Sequence, residues 1–326
     1  MLRFAVKLGL LILFFISASL AQINEMLSKE HSQFFTLAAS ANHFNQISDR
    51  VDSTLLSSDS LLPQINNTRL ALVSGTLLTS MVAIHIYQQN GWWKDNRAPF
   101  HFQEDLKYGL WVDKIGHFYG AYLLNFVMSK SFEWADVPDE KALWFGAGGG
   151  LLFQTYVEVE DGFSAWGFDR VDWLFDLGGA AWLPLRYYVP YLQNFDLKLS
   201  YHPSDLLGNP GGIGFKGQKH LMMDDYEGQT MWMSVKIKNL LPTSVEKYWP
   251  SFLCLSIGYG ARDVAPDVAG ANPHRVYFLA PDLDMTEIIP RNTKFLQTLG
   301  EALNFVHFPM PAIRFGHKTI LYGLYF

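Results

Sequence analysis

From residue 111 to residue 122 the sequence reads WVDKIGHFYGAY. The apolar residues recur at helical spacing, and Asp113 and His117 share one helix face because they are four residues apart. Charged side chains in such an apolar helix cost several kcal/mol each unless they pair, bind a cation or line a wet cavity. The stretch therefore predicts a helical bundle with a polar centre that contains Asp113, Lys114 and His117.

Four helices are predicted around this stretch, at residues 69–87, 110–131, 141–158 and 170–188. The first reads RLALVSGTLLTSMVAIHIY, close to the ~20 apolar residues that cross a bilayer. The other three could also span, although each carries ionisable residues toward one end. We expect a membrane-embedded four-helix bundle, with a single span or a wholly periplasmic bundle as the alternatives.

Two further helices supply the other walls of the polar centre. Gly146, Gly150, Gln154 and Glu158 follow one another at steps of four, and Asp169, Asp172 and Asp176 at steps of three and four. In an up-and-down bundle, the ends that carry these acids lie beside the start of the second helix. We therefore expect six side chains to converge, namely Asp113, Lys114, His117, Glu158, Asp172 and Asp176.

Three chemistries fit this set of residues. His117 with Glu158 and Asp172 could ligate a divalent cation, because imidazole with carboxylates suits zinc, manganese or iron. The same groups could act as general acid and base. In the third interpretation Lys114 is a counter-ion, His117 is a core residue and the aspartates cap a helix. The spacing does not identify a metal.

Beyond Pro190 the hydrophobic period changes from helical to two, which is typical of strands. FDLKLSYH alternates apolar and polar residues from Phe195 to His202, and four later segments read similarly: TMWMSVKIK, FLCLSIGYG, RVYFLAPDLDM and KTILYGLYF. A helix at residues 294–305 interrupts them. The predicted fold class is α+β, with the bundle followed by an antiparallel β-rich region.

The N-terminus has the three parts of a secretory signal, with Arg3 and Lys7, an apolar run, and Ser19-Leu20-Ala21 before Gln22. An uncleaved anchor is the alternative. No cysteine follows the apolar run, so no lipid anchor is expected; the only cysteine, Cys254, is predicted to be a core residue. We divide the chain into a signal peptide (1–21), a polar segment with a helix at 24–51 (22–67), the helical bundle (68–190) and the β-rich domain (191–326).

Composition excludes one class of partner. Hydrophobic residues make up 49% of the chain and charged residues 17%, and the net charge is -6. Lys and Arg form no run, so a nucleic-acid partner is not expected, whereas membrane lipid and other envelope proteins are.

Two stretches of the bundle, DKIGHFYGAY and EVEDGFSAWGFDRVDWLFDLGGA, resemble an uncharacterised bacterial envelope family of predicted periplasmic lipoproteins and, more distantly, the VanZ-like membrane proteins. The likeness covers about residues 108–182 and adds Asp161, Gly162 and Gly179 to the shared pattern. DDYEGQTMWMS and IGYGARDV are similar to an extended, Bacteroidetes-type form of the same family. This chain has Asp176 where the pattern usually has Asn, and Asp169 where Ser is common, so its centre is more acidic.

The resemblance implies envelope chemistry without an established reaction. We predict an envelope protein whose centre binds or processes a lipid-linked or cell-wall substrate; the alternative is a non-catalytic structural or interaction protein stabilised by ion pairs. The favoured location is the inner membrane with a periplasmic C-terminal domain, and the alternatives are periplasmic or outer-membrane-associated. The candidate catalytic residues are Asp113, His117, Glu158 and Asp172, and the candidate substrate-binding residues are Lys114, Gln154, Asp161 and Asp176.

Overall fold

The computed structural model describes residues 64–208, 221–264, 272–316 and 318–326. The predicted signal peptide, the helix predicted at residues 24–51 and nearly all of the polar segment lie outside these ranges.

Four long helices come first in the described chain. They are α1 (Asn67–Gln88), α2 (Val112–Trp134), α3 (Asp139–Gly162) and α4 (Arg170–Tyr188), each within a few residues of its predicted bounds. Asn66 and Asp169 fix the starts of α1 and α4, because their side chains accept hydrogen bonds from N–H groups of the first turn.

Small residues bring α2, α3 and α4 into close contact. Gly146 of α3 lies against Asn125 and Ser129 of α2, and Gly179 of α4 lies against the backbone carbonyl of Phe118. A Cβ atom at either glycine would overlap these neighbours, so the glycines permit the close approach of the helices.

Helix α1 is different, because only Val73 and Gln88 are buried along its length. Of the helices in the described ranges, only Asn67–Gly91 is long and apolar enough to cross a membrane. One such helix is weak evidence of a membrane protein, so the predicted membrane-embedded four-helix bundle is not confirmed.

The second half of the chain forms a six-stranded antiparallel sheet whose strands lie in chain order. The strands are β1 (Phe195–Tyr201), β2 (Gln229–Val235), β3 (Leu253–Arg262), β4 (His274–Leu283), β5 (Met310–Phe315) and β6 (Ile320–Tyr325). The α+β class with an antiparallel sheet is thus confirmed. Strand β5 was not predicted, because it is short and contains Pro311, and proline is rare within strands.

Three short helices connect the strands: α5 (Thr243–Glu246), α6 (Met285–Ile288) and α7 (Lys294–Leu303), the last of which was predicted. The sheet packs on α2 through a buried apolar cluster. Its members are Tyr119, Tyr122, Phe126, Leu197, Met231 and Phe305. This contact joins β1 and β2 to α2, and Trp182 and Leu183 of α4 pack against the same cluster.

Candidate functional site: a carboxylate-rich polar centre

The polar side chains meet where α2 and α4 begin and α3 ends. The chain enters α2 through Gly109, Leu110 and Trp111, all with positive φ. Such a conformation is unfavourable for Leu and Trp, and the Tyr259 hydroxyl of β3 donates to the Leu110 carbonyl at this turn. The sheet thereby helps to set the direction of the first turn of α2.

Lys114 lies at the middle of one half of the centre and is fully buried. Its Nζ is 2.6 Å from Asp105, 3.0 Å from Asp172, 3.2 Å from Asp169 and 3.4 Å from Asp113. Burial alone would lower the pKa of Lys114, but the surrounding carboxylates, Asp113 foremost, raise it above its ordinary value. Lys114 is therefore a permanent cation.

His117 occupies the other half of the centre. Its Nδ1 is 3.1 Å from Asp176 Oδ1 and 3.5 Å from Glu158 Oε1, and its Nε2 is 3.8 Å from Asp113 Oδ1. Burial opposes protonation, but these carboxylates, Asp176 first, raise the pKa of His117 well above its usual value. Both ring nitrogens thus face carboxylates, as an imidazolium requires.

The carboxyl groups outnumber these two cations. Burial raises the pKa of Glu158 to about 9 and of Asp172 to about 8, and their acidic neighbours add to the effect. Burial likewise raises the pKa of Asp105 to about 6 and of Asp161 to about 7. Several acids of the centre therefore hold protons at neutral pH.

Asp176 has an incomplete set of partners. It is fully buried, and its Oδ1 accepts from Gln154 Nε2 at 2.8 Å while also facing His117. Its Oδ2 is buried and has no hydrogen-bond partner within the part of the chain that the structure describes. Leaving a buried carboxylate oxygen unpartnered is costly, so this atom is a candidate cation ligand.

Three sets of side chains in the described chain have the geometry of cation ligands, with the ligand atoms of each set within 4.8 Å of one another. Asp105, Asp169 and Asp172 form an all-carboxylate set, whose members all lie next to Lys114. The other two contain His117, with Glu158 and Asp176 in one and with Asp113 and Asp172 in the other. One imidazole with two carboxylates is a donor set used for zinc, manganese and iron.

The helices that carry this centre also carry the likeness to known proteins. Residues 101–188 match the model of a family described as "Predicted periplasmic lipoprotein (DUF2279)". No curated protein and no solved structure matches the chain significantly.

The match covers the loop before α2 and the whole of α2, α3 and α4, which is less than a third of the chain. It confirms the resemblance to predicted periplasmic lipoproteins for these residues, and it is consistent with a place in the cell envelope and periplasm. The match includes neither the VanZ-like nor the Bacteroidetes-type likeness, and both stay predictions.

The matched segment brings together most of the residues selected from the sequence. Asp113, Lys114, His117, Glu158, Asp172 and Asp176 form the centre, and Gln154 joins it through Asp176. Asp161 lies to one side, where its Oδ1 accepts from Trp93 Nε1 at 2.6 Å. The catalytic and substrate-binding roles of these residues stay predictions.

Three residues of the centre were not selected from the sequence. Asp169 belongs to the predicted row of aspartates but was not chosen as a site residue. Asp105 lies in a loop, where the spacing of residues does not indicate which side chains share a face. Tyr226 donates to Asp113 Oδ1 from more than a hundred residues away. No local pattern could have identified Asp105 or Tyr226.

Exposed apolar side chains surround this end of the bundle. Phe100 and Phe102 pack edge to face with each other, and Phe102 also contacts Phe168. Phe102 is 58% exposed, and Leu106 and Trp111, which precede α2, are exposed as well. The centre thus combines an acidic interior with an apolar rim, which we define as Phe100, Phe102, Leu106, Trp111 and Phe163.

Proposed function

We propose that this chain is a cell-envelope protein whose polar centre binds a divalent cation. The observation that carries the proposal is Asp176, a fully buried carboxylate with one oxygen that no described residue hydrogen-bonds. His117 and Glu158 complete its ligand set, with all ligand atoms within 4.8 Å, and each would release its proton when the cation binds. A cation at this point would also neutralise part of the surplus of acidic groups.

The substrate class proposed for the centre is a lipid-linked or cell-wall molecule that carries an anionic group. The apolar rim supports this class, because exposed aromatic and aliphatic side chains suit the lipid part of such a molecule. The cation would attract the anionic part, and Asp113, which is not a member of this ligand set, would act there as the general base. The favoured location is the inner membrane, with α1 as the lipid-embedded element.

Cation binding is tested by removing one ligand charge. Asp176→Asn keeps an acceptor for Gln154 but loses the carboxylate, so Mn²⁺ or Zn²⁺ should raise the Tm of the chelator-treated wild-type protein and not that of the variant. Glu160→Gln is the matched control, because Glu160 is a buried acid of α3 paired with Arg97 at 2.8 Å, away from the ligand set. Metal analysis after dialysis should find the ion in the wild-type and control proteins only.

A second candidate function is structural, and Lys114 favours it. One buried ammonium group that contacts four carboxylates is the arrangement expected of a stabilising ion-pair network. In that case neither metal would change the Tm of the wild-type protein, and Asp176→Asn would lower protein abundance and envelope function together. Normal abundance with lost function would exclude the structural role.

A further inference from the structure

The two faces of the sheet have opposite chemistry. The sheet curls so far that Tyr325 of β6 contacts Trp232 of β2 and its hydroxyl lies 2.9 Å from that of Thr230. We call the side on which these residues meet the concave face and the other side the convex face. Because side chains alternate along a strand, each strand contributes to both faces.

The concave face is buried and rich in polar groups. Lys198 and Asp282 form an ion pair of 2.9 Å there, and both side chains are fully buried. His307 stacks on Trp232, with the ring centres 3.8 Å apart. Other buried polar residues on this side are Asp196, Ser200, Thr230, Ser234 and Ser256.

The convex face is apolar and largely exposed. The strand register aligns one residue from each strand in a continuous row, which we call the convex row: Leu197, Met233, Ile257, Leu279, Ile313 and Leu321. Helix α2 covers the Leu197 end of the row. Beyond it Ile257 is 57% exposed and Leu321 is 78% exposed.

Charge is nearly missing from the convex face. Among the strand residues that the structure describes, Arg275 near one end of β4 is the charged side chain on this side, and its Nε donates to the Tyr259 hydroxyl at 3.1 Å. Aromatic residues border the apolar band at both ends. Tyr259, Tyr277 and Phe315 are aligned at one end, and Tyr248 and Phe252 precede β3 at the other.

A sheet with one face in water normally exposes polar residues there and buries apolar ones. A protein partner usually meets a polar rim and forms on the order of ten hydrogen bonds, which the convex row cannot supply. Hydrocarbon offers neither charge nor hydrogen bonds, and aromatic residues are enriched where proteins pass between lipid and water. An uncharged band between two aromatic borders is therefore complementary to lipid.

We infer that the convex face of the sheet contacts the hydrocarbon of a lipid bilayer. The inference assigns the sheet, in addition to α1, a surface in contact with lipid, and it does not depend on a cation at the polar centre. Between Leu253 and Tyr259 the band extends about 20 Å along β3, at about 3.4 Å per residue, which is enough to enter one leaflet.

The test uses the full chain in vesicles of phosphatidylethanolamine and phosphatidylglycerol. Ile257→Cys and Leu279→Cys carry a fluorescent dye, and Phe295→Cys on α7 is the control, because Phe295 is equally apolar and 74% exposed but lies outside the sheet. The native Cys254 is buried, and burial raises the pKa of its thiol to about 11, so it should not react; the wild-type protein checks this.

Lipids with a nitroxide on the acyl chain should quench the dye at positions 257 and 279, and iodide in the water should quench it at position 295. Quenching by iodide at all three positions would overturn the inference. Protection of positions 257 and 279 from both quenchers would also overturn it, since a second copy of the chain or another protein would then cover the face.

Discussion

At the scale of single residues, the net charge of the polar centre depends on which of its side chains are protonated. Lys114 is a permanent cation, whereas burial makes several of the surrounding acids prefer their neutral form. Burial has the opposite effect on a base. It lowers the pKa of His307, which stacks on Trp232 of β2. These two sites therefore make the stability of the protein depend on pH with opposite signs.

Glu158→Gln should stabilise the metal-free protein at alkaline pH. The pKa of Glu158 is raised from 4.5 to about 9 by burial, so the folded state holds a proton that the unfolded state has lost between these values. The free energy of unfolding of the wild-type protein should therefore fall as the pH rises through this window, by on the order of 1 kcal/mol per unit. The variant has no carboxyl group to ionise at residue 158, so this contribution to the fall in its free energy of unfolding is missing.

Urea unfolding in chelator between pH 7 and pH 9 measures the effect as a difference between the variant and the wild-type protein, because the raised pKa values of Asp172 and His117 are present in both proteins. Glu160→Gln is the control and should be destabilised at every pH, since it breaks the ion pair with Arg97. Parallel pH profiles for Glu158→Gln and the wild-type protein would mean that Glu158 is ionised in the folded state.

His307→Phe should remove an acid-dependent loss of stability. Burial lowers the pKa of His307 from 6.5 to about 4, so between these values the unfolded state takes up a proton that the folded state does not. Stability present above pH 6.5 is thus lost as the pH falls, by up to about 1.4 kcal/mol per unit. Phe keeps the stacking on Trp232.

Comparison of the free energies of unfolding at pH 5 and pH 7 isolates this effect. The difference between the two pH values should be smaller for His307→Phe than for the wild-type protein. His101→Phe makes the same substitution at a partly exposed position outside the sheet, where the side chain contacts the carbonyl of Pro99, and serves as the control. An unchanged difference in His307→Phe would show that His307 titrates normally in the folded protein.

At the scale of secondary-structure elements, the sequence predicted most helices and strands, whereas it predicted few of the contacts between them. The four helices and five of the six strands follow from the periods of 3.6 and 2, because those periods depend on which face of each element is buried. The convergence of Asp113, Glu158 and Asp172 also follows, because three antiparallel helices must bring these ends together. The high exposure of α1 was not predicted, because hydropathy does not reveal how much of a helix packs against its neighbours.

Gly179→Ala should separate α2 from α4. A Cβ atom at residue 179 would overlap the carbonyl of Phe118, and this backbone cannot move without shifting α2. We expect a loss of about 1–3 kcal/mol in the free energy of unfolding, as for other overpacked sites. Gly148→Ala on α3 is the matched control, since nothing lies within 4 Å of that position.

The control should gain up to about 1 kcal/mol from helix propensity. Equal stability of the two variants in thermal unfolding would show that the α2–α4 contact is not tightly packed. Disturbance of the polar centre should accompany the loss in Gly179→Ala, because Asp172 and Asp176 lie on the same helix.

At the scale of the whole molecule, Phe305 connects the helices to the sheet. Its ring packs 4.5 Å from that of Tyr122 and 4.9 Å from that of Phe126, and its carbonyl accepts from the Tyr119 hydroxyl. The ion pair between Arg186 of α4 and Asp196 of β1, at 2.6 Å, lies beside it. The bundle and the sheet should therefore unfold together.

Phe305→Ala should lower the free energy of unfolding by about 3–5 kcal/mol, as expected for the loss of a buried Phe. Circular dichroism would follow helix loss, and a fluorescent dye attached at Ile257→Cys would follow the sheet; the two transitions should coincide in the protein without Phe305→Ala. Phe295→Ala, at an exposed position on α7, should change neither transition. Separate transitions in the protein without Phe305→Ala would contradict a single cooperative unit.

The sequence by itself determined the fold class, the helices, most strands and the acidic character of the centre, because periodicity and spacing are local properties of the chain. Only the tertiary structure decided which atoms meet. Asp105 and Tyr226 enter the centre from loops, one oxygen of Asp176 has no hydrogen-bond partner among the described residues, and the sheet curls so that its apolar face points outward. These features depend on contacts between residues far apart in the chain, where the energy of packing rather than local propensity sets the geometry.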